Sequence, residues 1–296
     1  MELLYQTYKG LLFSLAYQMT GSAADAEDIV QDVFVKAHQV QLEQMADPKA
    51  YLCKMTTNRC LDLLKSARKK RELYTGPWLP EPINTPVSDA AESVIQKDLL
   101  SYAMLVLLEQ LSETERAVFV LREALGFDYE KIAQLVGKSE ANCRKIISRA
   151  KAKLGITTVE EHALFAPEKS IEEQWVSRFI DALEHGNMDT LLAMLAKDAV
   201  LLSDGGGKVS AAIHPIVSAE RIAHFLFGLM RKTIQPLGLR VKLLPLNNQV
   251  GLVIYHGDQI DTVVFLHIEV QQISRIYFIR NPEKLKAVRE IGQMIE

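Results

Sequence analysis

The sequence predicts a multi-domain protein in which two all-α domains are followed by an α+β domain. Apolar residues up to about residue 155 recur at helical spacing, between residues typical of helix ends. The stretch FDYEKIAQLVGKSEANCRKIISRAKAKL (127–154) has the pattern of two short helices joined by a tight turn. From about residue 199, short runs rich in β-branched residues replace the helical pattern, which indicates a sheet.

Composition restricts the class of protein. A chain of 296 residues has room for two or three domains, and 48% apolar with 24% charged residues is typical of a globular protein. The three cysteines have neither metal-ligand spacing nor the even count of a disulfide framework, which favours a reducing cytoplasm. The first residues lack the basic segment and small-residue cleavage site typical of a signal peptide, and no apolar run approaches membrane length. We expect a cytoplasmic protein with no membrane contact, no metal and no cofactor.

The first two helices are predicted over 1–19 and from the Ser22 cap to about His38. The outer face of the second helix is acidic and carries Asp25, Asp28, Gln31 and Asp32. Such a face is usually only solvated, but it is also suited to docking a basic helical partner.

A third helix is predicted to begin at Asp47–Pro48, since a cap is followed there by proline, and to run to about Lys70. A polar stripe lies opposite its apolar side and consists of Lys54, Asn58, Asp62, Lys65 and Lys69, flanked by Arg59 and Arg68. This mixture is suited to phosphate and base contacts, but a solvated helix face fits the stripe equally well.

Residues 72–92 contain four prolines and are predicted to be a linker. Trp78 and Leu79 are too apolar for a free linker, so we expect this segment to pack on another part of the protein. Helices over about 94–111 and 113–125 follow.

The stretch 127–154 is predicted to be a helix-turn-helix. Asp128 caps its first helix, Gly137 ends that helix, and Ser139 caps the second helix. One side of the second helix is apolar, and its other sides carry Asn142, Arg144, Lys145, Ser148, Arg149, Lys151 and Lys153. The pattern favours DNA binding, while an ordinary helical hairpin with a solvated basic face is the simpler alternative.

The C-terminal part is predicted to be an α+β domain with a curved antiparallel sheet and a cone-like pocket. Helices are predicted over 172–184, 188–197 and 219–232, and Pro282 opens a final helix. The strand-like runs are AVLLSD, KVSAAIHP, LRVKLLPL, QVGLVIYH, DTVVFLHIEV and SRIYFIR, with hairpin turns at Asn247–Asn248 and Gly257–Asp258.

Three blocks of the first 155 residues resemble the sigma factors of the extracytoplasmic-function group: DAEDIVQDVFVKAH, PKAYL…TTNRCLDLLKSARKKR and LSETERAVFVLREALGFDYEKIAQLVGKSEANCRKIISRAKAKL. The strings WLPEP (78–82), DGGGK (204–208) and NPEKL (281–285) are similar to those of the subgroup with a C-terminal SnoaL-like extension. The resemblance implies a region 2 helical bundle (1–71), a linker (72–92), a region 4 helix-turn-helix (93–155) and a SnoaL-like regulatory domain (170–296).

The resemblance implies an alternative sigma factor that binds core RNA polymerase and promoter DNA and is not an enzyme. We expect it to be monomeric when free. The residues implied to dock on polymerase are Asp25, Asp28, Gln31, Asp32 and Phe34. Those implied to recognise and open the −10 element are Lys54, Asn58, Arg59, Asp62, Lys65 and Arg68. Those implied to read the −35 element are Ser139, Asn142, Arg144, Lys145, Ser148, Arg149 and Lys151.

The extension is implied to act in place of a separate anti-sigma protein, and we interpret it as an intramolecular switch. The residues expected to connect it to the linker are Trp78, Leu79, Pro80, Asp204, Gly205, Gly206, Gly207, Lys208, Asn281 and Pro282.

Two alternatives remain open from the residues. In the first alternative to a sigma factor, the chain is a helix-turn-helix regulator whose C-terminal pocket senses a small ligand. In the second, it is a SnoaL-like isomerase or cyclase fused to a DNA-binding module. Catalytic candidates for the second alternative are Asp204, His214, His256, Asp261 and His267, which form no recognisable motif. We therefore expect no catalytic residues.

Overall fold

The computed structural model describes residues 2–40, 46–85, 100–156 and 169–288, without the side chains of 67–72 and 169–170. These residues divide into two compact units. The first unit consists of residues 2–40, 46–72, 100 and 104–156, and the second of residues 73–85, 101–103 and 169–288. The linker residues 73–85 therefore fold with the C-terminal part of the chain. The predicted fold class, all-α domains followed by an α+β domain, is confirmed.

Seven helices run through the N-terminal part of the described chain. They are α1 (Glu2–Thr20), α2 (Ala23–Ala37), α3 (Pro48–Glu72), α4 (Tyr102–Leu108), α5 (Glu113–Phe119), α6 (Tyr129–Val136) and α7 (Glu140–Leu154). A π-helical turn, Val120–Ala124, extends α5. Within the described ranges, no helix combines the length and apolar character needed to cross a bilayer.

Most helix boundaries follow the caps that the sequence contains. Ser112 and Glu115 form a reciprocal capping box at the start of α5. Gly137 ends α6 in the left-handed conformation, with φ of 65°, and Ser139 caps α7 by accepting a hydrogen bond from the amide of Asn142. The helix predicted over 94–111 is described only from residue 100, and within the described residues it is helical over α4.

The first unit packs its helices around α3, which contacts α1, α2, α5 and α6. A buried arginine joins the first helices to the later ones. Arg116 Nη1 donates to the carbonyl of Met19 (2.8 Å) and pairs with Glu109 (2.7 Å). The two predicted sigma domains thus lie in one compact unit, while their boundaries at 71 and 93 remain a prediction.

The second unit is a sheet with helices on one face. Its elements are α8 (Lys169–Glu184), α9 (Met188–Met194), β1 (Leu195–Asp204), β2 (Ile216–Val217), α10 (Ala219–Leu229), β3 (Arg240–Leu246), β4 (Gln249–His256), β5 (Gln259–Glu269) and β6 (Gln272–Ile279). A second π-helical turn, Met230–Ile234, extends α10. The strand order is β2-β1-β6-β5-β4-β3.

Three local predictions for this domain are wrong. β1 and β6 are parallel, so the sheet is not wholly antiparallel. KVSAAIHP forms no strand, because the amides of Lys208 and Val209 bond to the carbonyl of Gly205 and close a turn. Pro282 opens a turn over 282–285, where the Asn281 side chain accepts from the amide of Glu283, and helical residues begin only at 286.

Apolar side chains from α8, α9 and α10 and from one sheet face form the core of the second unit. The carboxyl group of Glu172 is buried beside this core. Glu172 is 1% exposed and accepts a hydrogen bond from the amide of Val250 (2.7 Å). Burial raises the pKa of Glu172 to about 7, above the value of an exposed carboxyl group.

We expect Glu172→Gln to reduce the pH dependence of stability. Since the pKa of Glu172 is higher in the folded than in the unfolded chain, its contribution to the free energy of unfolding falls as pH rises from about 4.5 to about 7. The variant should therefore be more stable than the parent at pH 8, as measured by denaturant unfolding. At pH 5 the difference in free energy of unfolding between variant and parent should be smaller. Glu184→Gln is the control, since it removes an exposed carboxyl group from the same helix, α8. Equal pH profiles for Glu172→Gln and the parent would contradict this assignment.

Candidate nucleic-acid interface and linker clamp

The outer face of α7 is accessible. Its apolar side is buried through Cys143, Ile147, Ala150 and Leu154, as the helical spacing predicts. Most of the residues predicted to read DNA are exposed, namely Ser139, Asn142, Arg144, Lys145, Ser148 and Arg149. This face presents cations, an amide and hydroxyl groups together, which is the chemistry needed for base edges and phosphates.

Two lysines at the end of α7 pair with acids of the preceding helical segment. Lys151 lies 3.3 Å from Glu123, and Lys153 lies 3.6 Å from Glu115. Lys151 is only partly exposed. These pairs orient the C-terminal turn of α7 and reduce the net positive charge there.

Arg144 stacks over the ring of Tyr129, with 4.1 Å from the guanidinium carbon to the ring centroid. It also lies 3.5 Å from Glu140, one turn earlier on α7. A guanidinium held over an aromatic ring loses less side-chain freedom on binding than a free one.

The polar stripe of α3 is exposed at Lys54, Asn58, Arg59, Asp62 and Lys65. The side chain of Arg68 lies outside the described residues. Arg59 pairs with Asp32 of α2 (2.9 Å), and Lys65 pairs with Asp62 (3.2 Å). Asp32 and Arg59, which the resemblance gives to two different interfaces, are thus neighbours on one surface.

On α2, Asp28 and Gln31 are exposed and Asp25 and Asp32 are partly exposed. Phe34 instead packs inward against the ring of Tyr5, at 4.9 Å between ring centroids, and is 8% exposed. The adjacent Val35 is 68% exposed and was not among the predicted residues. An exposed valine beside this acidic face could have been found from helical spacing alone.

The described end of the loop before α3 contacts the helix-turn-helix. Asp47 pairs with Lys131 of α6, and this hydrogen bond lowers the pKa of Asp47. Lys49 lies 5.2 Å from the ring centroid of Phe127. Residues 41–45 of this loop lie outside the described residues.

The second unit holds the linker at a buried carboxylate. We call this site the linker clamp: linker residues Tyr74, Trp78 and Leu79 with domain residues Asp204, Asn281 and Lys284. Asp204 is fully buried at the end of β1. Its Oδ1 accepts from the Tyr74 hydroxyl (2.6 Å) and the Gly206 amide (3.0 Å), and its Oδ2 from the Leu79 amide (2.9 Å) and Lys284 Nζ (2.7 Å).

Lys284 connects the carboxylate to the linker in a second way. Its ammonium group donates to the carbonyl of Leu79 and lies 3.9 Å from the ring centroid of Trp78. A cation over an indole face is attracted by the ring quadrupole, and the attraction is larger when the pair is removed from water. Lys284 is 6% exposed, so it stabilises Asp204, Leu79 and Trp78 at the same time.

Tyr74 completes the clamp. The Asn281 side chain donates to the Tyr74 hydroxyl (2.8 Å), which in turn donates to Asp204. Burial and the bond to Asp204 raise the pKa of Tyr74, so the hydroxyl stays protonated. Sequence reasoning missed Tyr74 and Lys284. Lys284 lies within NPEKL, but Tyr74 carries no motif that singles it out.

The glycines of DGGGK allow the linker to approach closely. Gly206 has φ of +60°, and a Cβ there would lie 2.3 Å from Asn281 Nδ2 and 2.9 Å from the Tyr74 hydroxyl. Gly207 has φ of +69°, and its Cβ would lie 3.2 Å from Thr75 Oγ1. A Cβ on Gly205 would lie 2.5 Å from the carbonyl of Val209. Side chains at these positions would displace the turn or the linker.

The remaining predicted clamp residues lie at its edge. Lys208 forms an exposed ion pair with Glu283. The carbonyl of Pro80 accepts from the Tyr102 hydroxyl (2.7 Å), and Pro282 starts the turn that carries Lys284. The WLPEP, DGGGK and NPEKL strings therefore meet at one place in the second unit.

The candidate catalytic residues do not converge on one site. Asp204 is saturated by the clamp donors, and Asp261 pairs with Arg280 (3.1 Å). His214 and His256 are exposed, and His267 bonds to Glu269 (2.9 Å). An arrangement of this kind binds and positions the linker, whereas general acid–base chemistry requires groups that share a substrate site.

Comparisons with known protein families match two segments of the chain. The family described as Sigma-70 region 2 matches residues 4–70, and the family described as Sigma-70, region 4 matches residues 101–154. The first match covers α1–α3, and the second covers α4–α7.

Curated relatives extend the similarity beyond these segments. The ECF RNA polymerase sigma factor SigJ of Mycobacterium tuberculosis is 31% identical over 230 residues, covering 77% of this chain and 72% of the relative. The probable ECF RNA polymerase sigma factor SigI of the same species is 28% identical over 293 residues, covering 97% of this chain and 96% of the relative. The crystal structure of M. tuberculosis SigJ matches 97% of this chain and 99% of its own, at 27% identity and a TM-score of 0.78.

We expect Gly206→Ala to open the linker clamp. The left-handed backbone and the close contacts of the new Cβ should lower the free energy of unfolding by about 1–3 kcal/mol. Hydrogen exchange of the linker peptides within 73–85 should speed up. Gly228→Ala is the matched control, since Gly228 lies in α10 and a Cβ there meets nothing within 4 Å. Slower or unchanged linker exchange in Gly206→Ala would contradict the close packing described here.

Proposed function

Since this chain belongs to the extracytoplasmic-function (ECF) RNA polymerase sigma factors, we propose that its first unit contacts core polymerase and promoter DNA while its second unit controls them through the linker. The chain is an alternative sigma factor that directs promoter-specific transcription, and this family consists of initiation factors rather than enzymes. The observation that carries the proposed control is the set of four hydrogen bonds that Asp204 accepts, two of them from the linker.

We propose that α7 enters the major groove of the −35 element. Asn142, Lys145 and Ser148 are exposed and near enough to the start of the helix to reach base edges. Arg149 is suited to a phosphate contact, since it is also exposed. Lys151 contributes less in this proposal, because Glu123 already neutralises it.

The −10 element is assigned to the exposed stripe of α3, and the polymerase contact to the acidic face of α2. Opening the duplex requires cations along the freed strand and polar groups that hold its bases. Lys54, Asn58 and Lys65 supply both. The Arg59–Asp32 pair lies between the two surfaces, so polymerase and DNA would compete for or share it.

The second unit fixes the path of linker residues 73–85. Because Trp78 and Leu79 are held by Lys284 and Asp204, linker residues 73–85 cannot extend until the clamp releases. We propose that clamp release regulates promoter binding within the same molecule. The chain acts in the cytoplasm as a monomer when free, and a small ligand in the second unit is part of this proposal.

Run-off transcription with core RNA polymerase tests the −35 assignment. The double variant Lys145→Ala/Arg149→Ala should reduce initiation by about tenfold or more, because two phosphate or base contacts are lost. The slope of log affinity against log salt should also become shallower by about one to two. Arg231→Ala/Lys232→Ala removes the same charge from exposed positions of the second unit and should leave initiation unchanged. Equal loss in both double variants, or no initiation by the parent at any promoter, would refute the assignment.

Trp78→Ala tests the control by the second unit. Removing the indole takes away the ring over which Lys284 lies, so run-off output should change by about threefold or more while circular dichroism is retained. Leu73→Ala is the control, since Leu73 is in the same linker and 87% exposed. Output equal to the parent in Trp78→Ala would exclude an intramolecular switch at this site.

A further inference from the structure

We infer that the cone of the second unit binds a neutral, predominantly apolar small molecule whose single polar group bonds to Arg280. We also infer that its occupancy acts on the linker clamp. The second statement rests on the proposed regulatory role of that clamp, whereas the first stands on the cavity alone.

Two adjoining cavities lie between the sheet and the helices of this unit, with volumes of about 570 Å³ and about 500 Å³. Residues lining both cavities are Leu229, Ile234, Leu239, Ile254 and Phe278. A space of this size accommodates a drug-sized molecule. Protein interiors are otherwise close-packed, so a gap of several hundred Å³ is not a packing defect of the usual size.

The lining indicates the chemistry of the ligand. The first cavity is lined mainly by leucine, isoleucine, valine and phenylalanine side chains, including Leu226, Leu252 and Val264. Its polar lining side chains are Glu184 and Gln235. An apolar body of a ligand is therefore favoured over a sugar or a nucleotide, whose hydroxyl and phosphate groups would lose water without gaining partners.

The second cavity supplies one polar end. Arg280 donates to Asp261 (3.1 Å), to the Thr262 hydroxyl (3.2 Å) and to the carbonyl of Ser210. The positive charge of Arg280 is neutralised by Asp261. A charged ligand group would therefore lose its hydration in this cavity without gaining a counter-ion. A guanidinium has five N–H donors, and these bonds leave at least one N–H on Nη1 for a carbonyl or hydroxyl oxygen.

The wall of this cavity is shared with the linker clamp. β1 and β6 pair in register with Ser203 opposite Phe278 and Asp204 opposite Ile279. Since successive side chains of a strand point to opposite faces, Ser203, Phe278 and Arg280 line the cavity while Asp204 and Asn281 form the clamp.

Two backbone hydrogen bonds connect the cavity face of the sheet with the clamp face. The carbonyl of Asp204 accepts from the amides of Arg280 (2.8 Å) and Asn281 (2.9 Å). A ligand that draws Arg280 toward the cavity would also move the strand ends that carry Asp204 and Asn281. The position of the linker would then depend on whether the cavity is occupied.

Fluorescence titration of the full chain with Nile red, a neutral apolar dye that carries one ring carbonyl, tests the site. The parent should bind it saturably. Leu239→Trp fills the space shared by both cavities and should weaken binding by about tenfold or more. Leu237→Trp is the control, since Leu237 is 53% exposed and lines neither cavity. If Nile red binding to the parent does not saturate, or if both tryptophan variants bind the dye equally well, the proposed ligand site is wrong.

Competition against bound Nile red tests the neutral class. 2-Dodecanone should displace the dye at a concentration about tenfold lower than dodecanoate does, because only the carboxylate brings an uncompensated charge. Displacement by dodecanoate at equal or lower concentration would overturn the assignment of a neutral ligand.

Hydrogen exchange of the linker peptides within 73–85 tests the coupling, without polymerase or DNA. Saturating Nile red should change their exchange rate by about threefold or more in the parent and leave it unchanged in Leu239→Trp. Binding without any change in linker exchange would overturn the coupling but not the site. Because transcription is not measured, a failure here is distinguishable from a failure of the proposed promoter assignments.

Discussion

A carboxylate buried at the end of a strand is the constraint on which the second unit depends. Asp204 has no access to water, so its charge must be balanced and its oxygens bonded within the protein. Lys284 supplies the charge, and the linker supplies two of the four hydrogen-bond donors. Breaking one partner of a buried ion pair typically costs about 3–5 kcal/mol, so removal of either charge should release the linker.

This constraint explains why three short strings, distant in sequence, lie at one place. DGGGK supplies the carboxylate and a turn without side chains, NPEKL supplies the lysine, and WLPEP supplies the indole and the amide. The cationic face of α7 and the polar stripe of α3 need no such support, since they are exposed surfaces of helices whose opposite sides are buried. The surfaces proposed to bind DNA and polymerase in the first unit are thus set by helical periodicity, and the clamp by long-range packing.

Much of the fold follows from local patterns. The caps at Ser112, Asp128 and Ser139, the turn at Gly137 and the hairpin at Asn247–Asn248 all depend on a few adjacent residues, and all are present. The parallel pairing of β1 with β6 depends on strands about seventy residues apart, for which a local pattern carries no information. KVSAAIHP has strand-like composition, but the tight turn at Gly205 takes its backbone bonds instead.

The same distinction applies to the candidate sites. Exposed residues of α7 and α3 could be predicted because spacing alone decides which side of a helix is buried. The burial of Phe34 and the exposure of Val35 were not predicted, since burial of an aromatic ring depends on its partner Tyr5. Tyr74 could not be found, because its role arises only when a segment 130 residues away folds against it. The cavity between Phe278 and Leu239 likewise depends on packing between elements.

A double-mutant cycle between Asp204 and Lys284 tests the central claim most directly. The free energy of opening at the Leu79 amide would be measured by hydrogen exchange for Asp204→Asn, Lys284→Met and the double variant. Each single variant leaves one buried group without its partner, so the double variant should open no more easily than the worse single variant. Strictly additive effects, or unchanged opening in both single variants, would contradict the account.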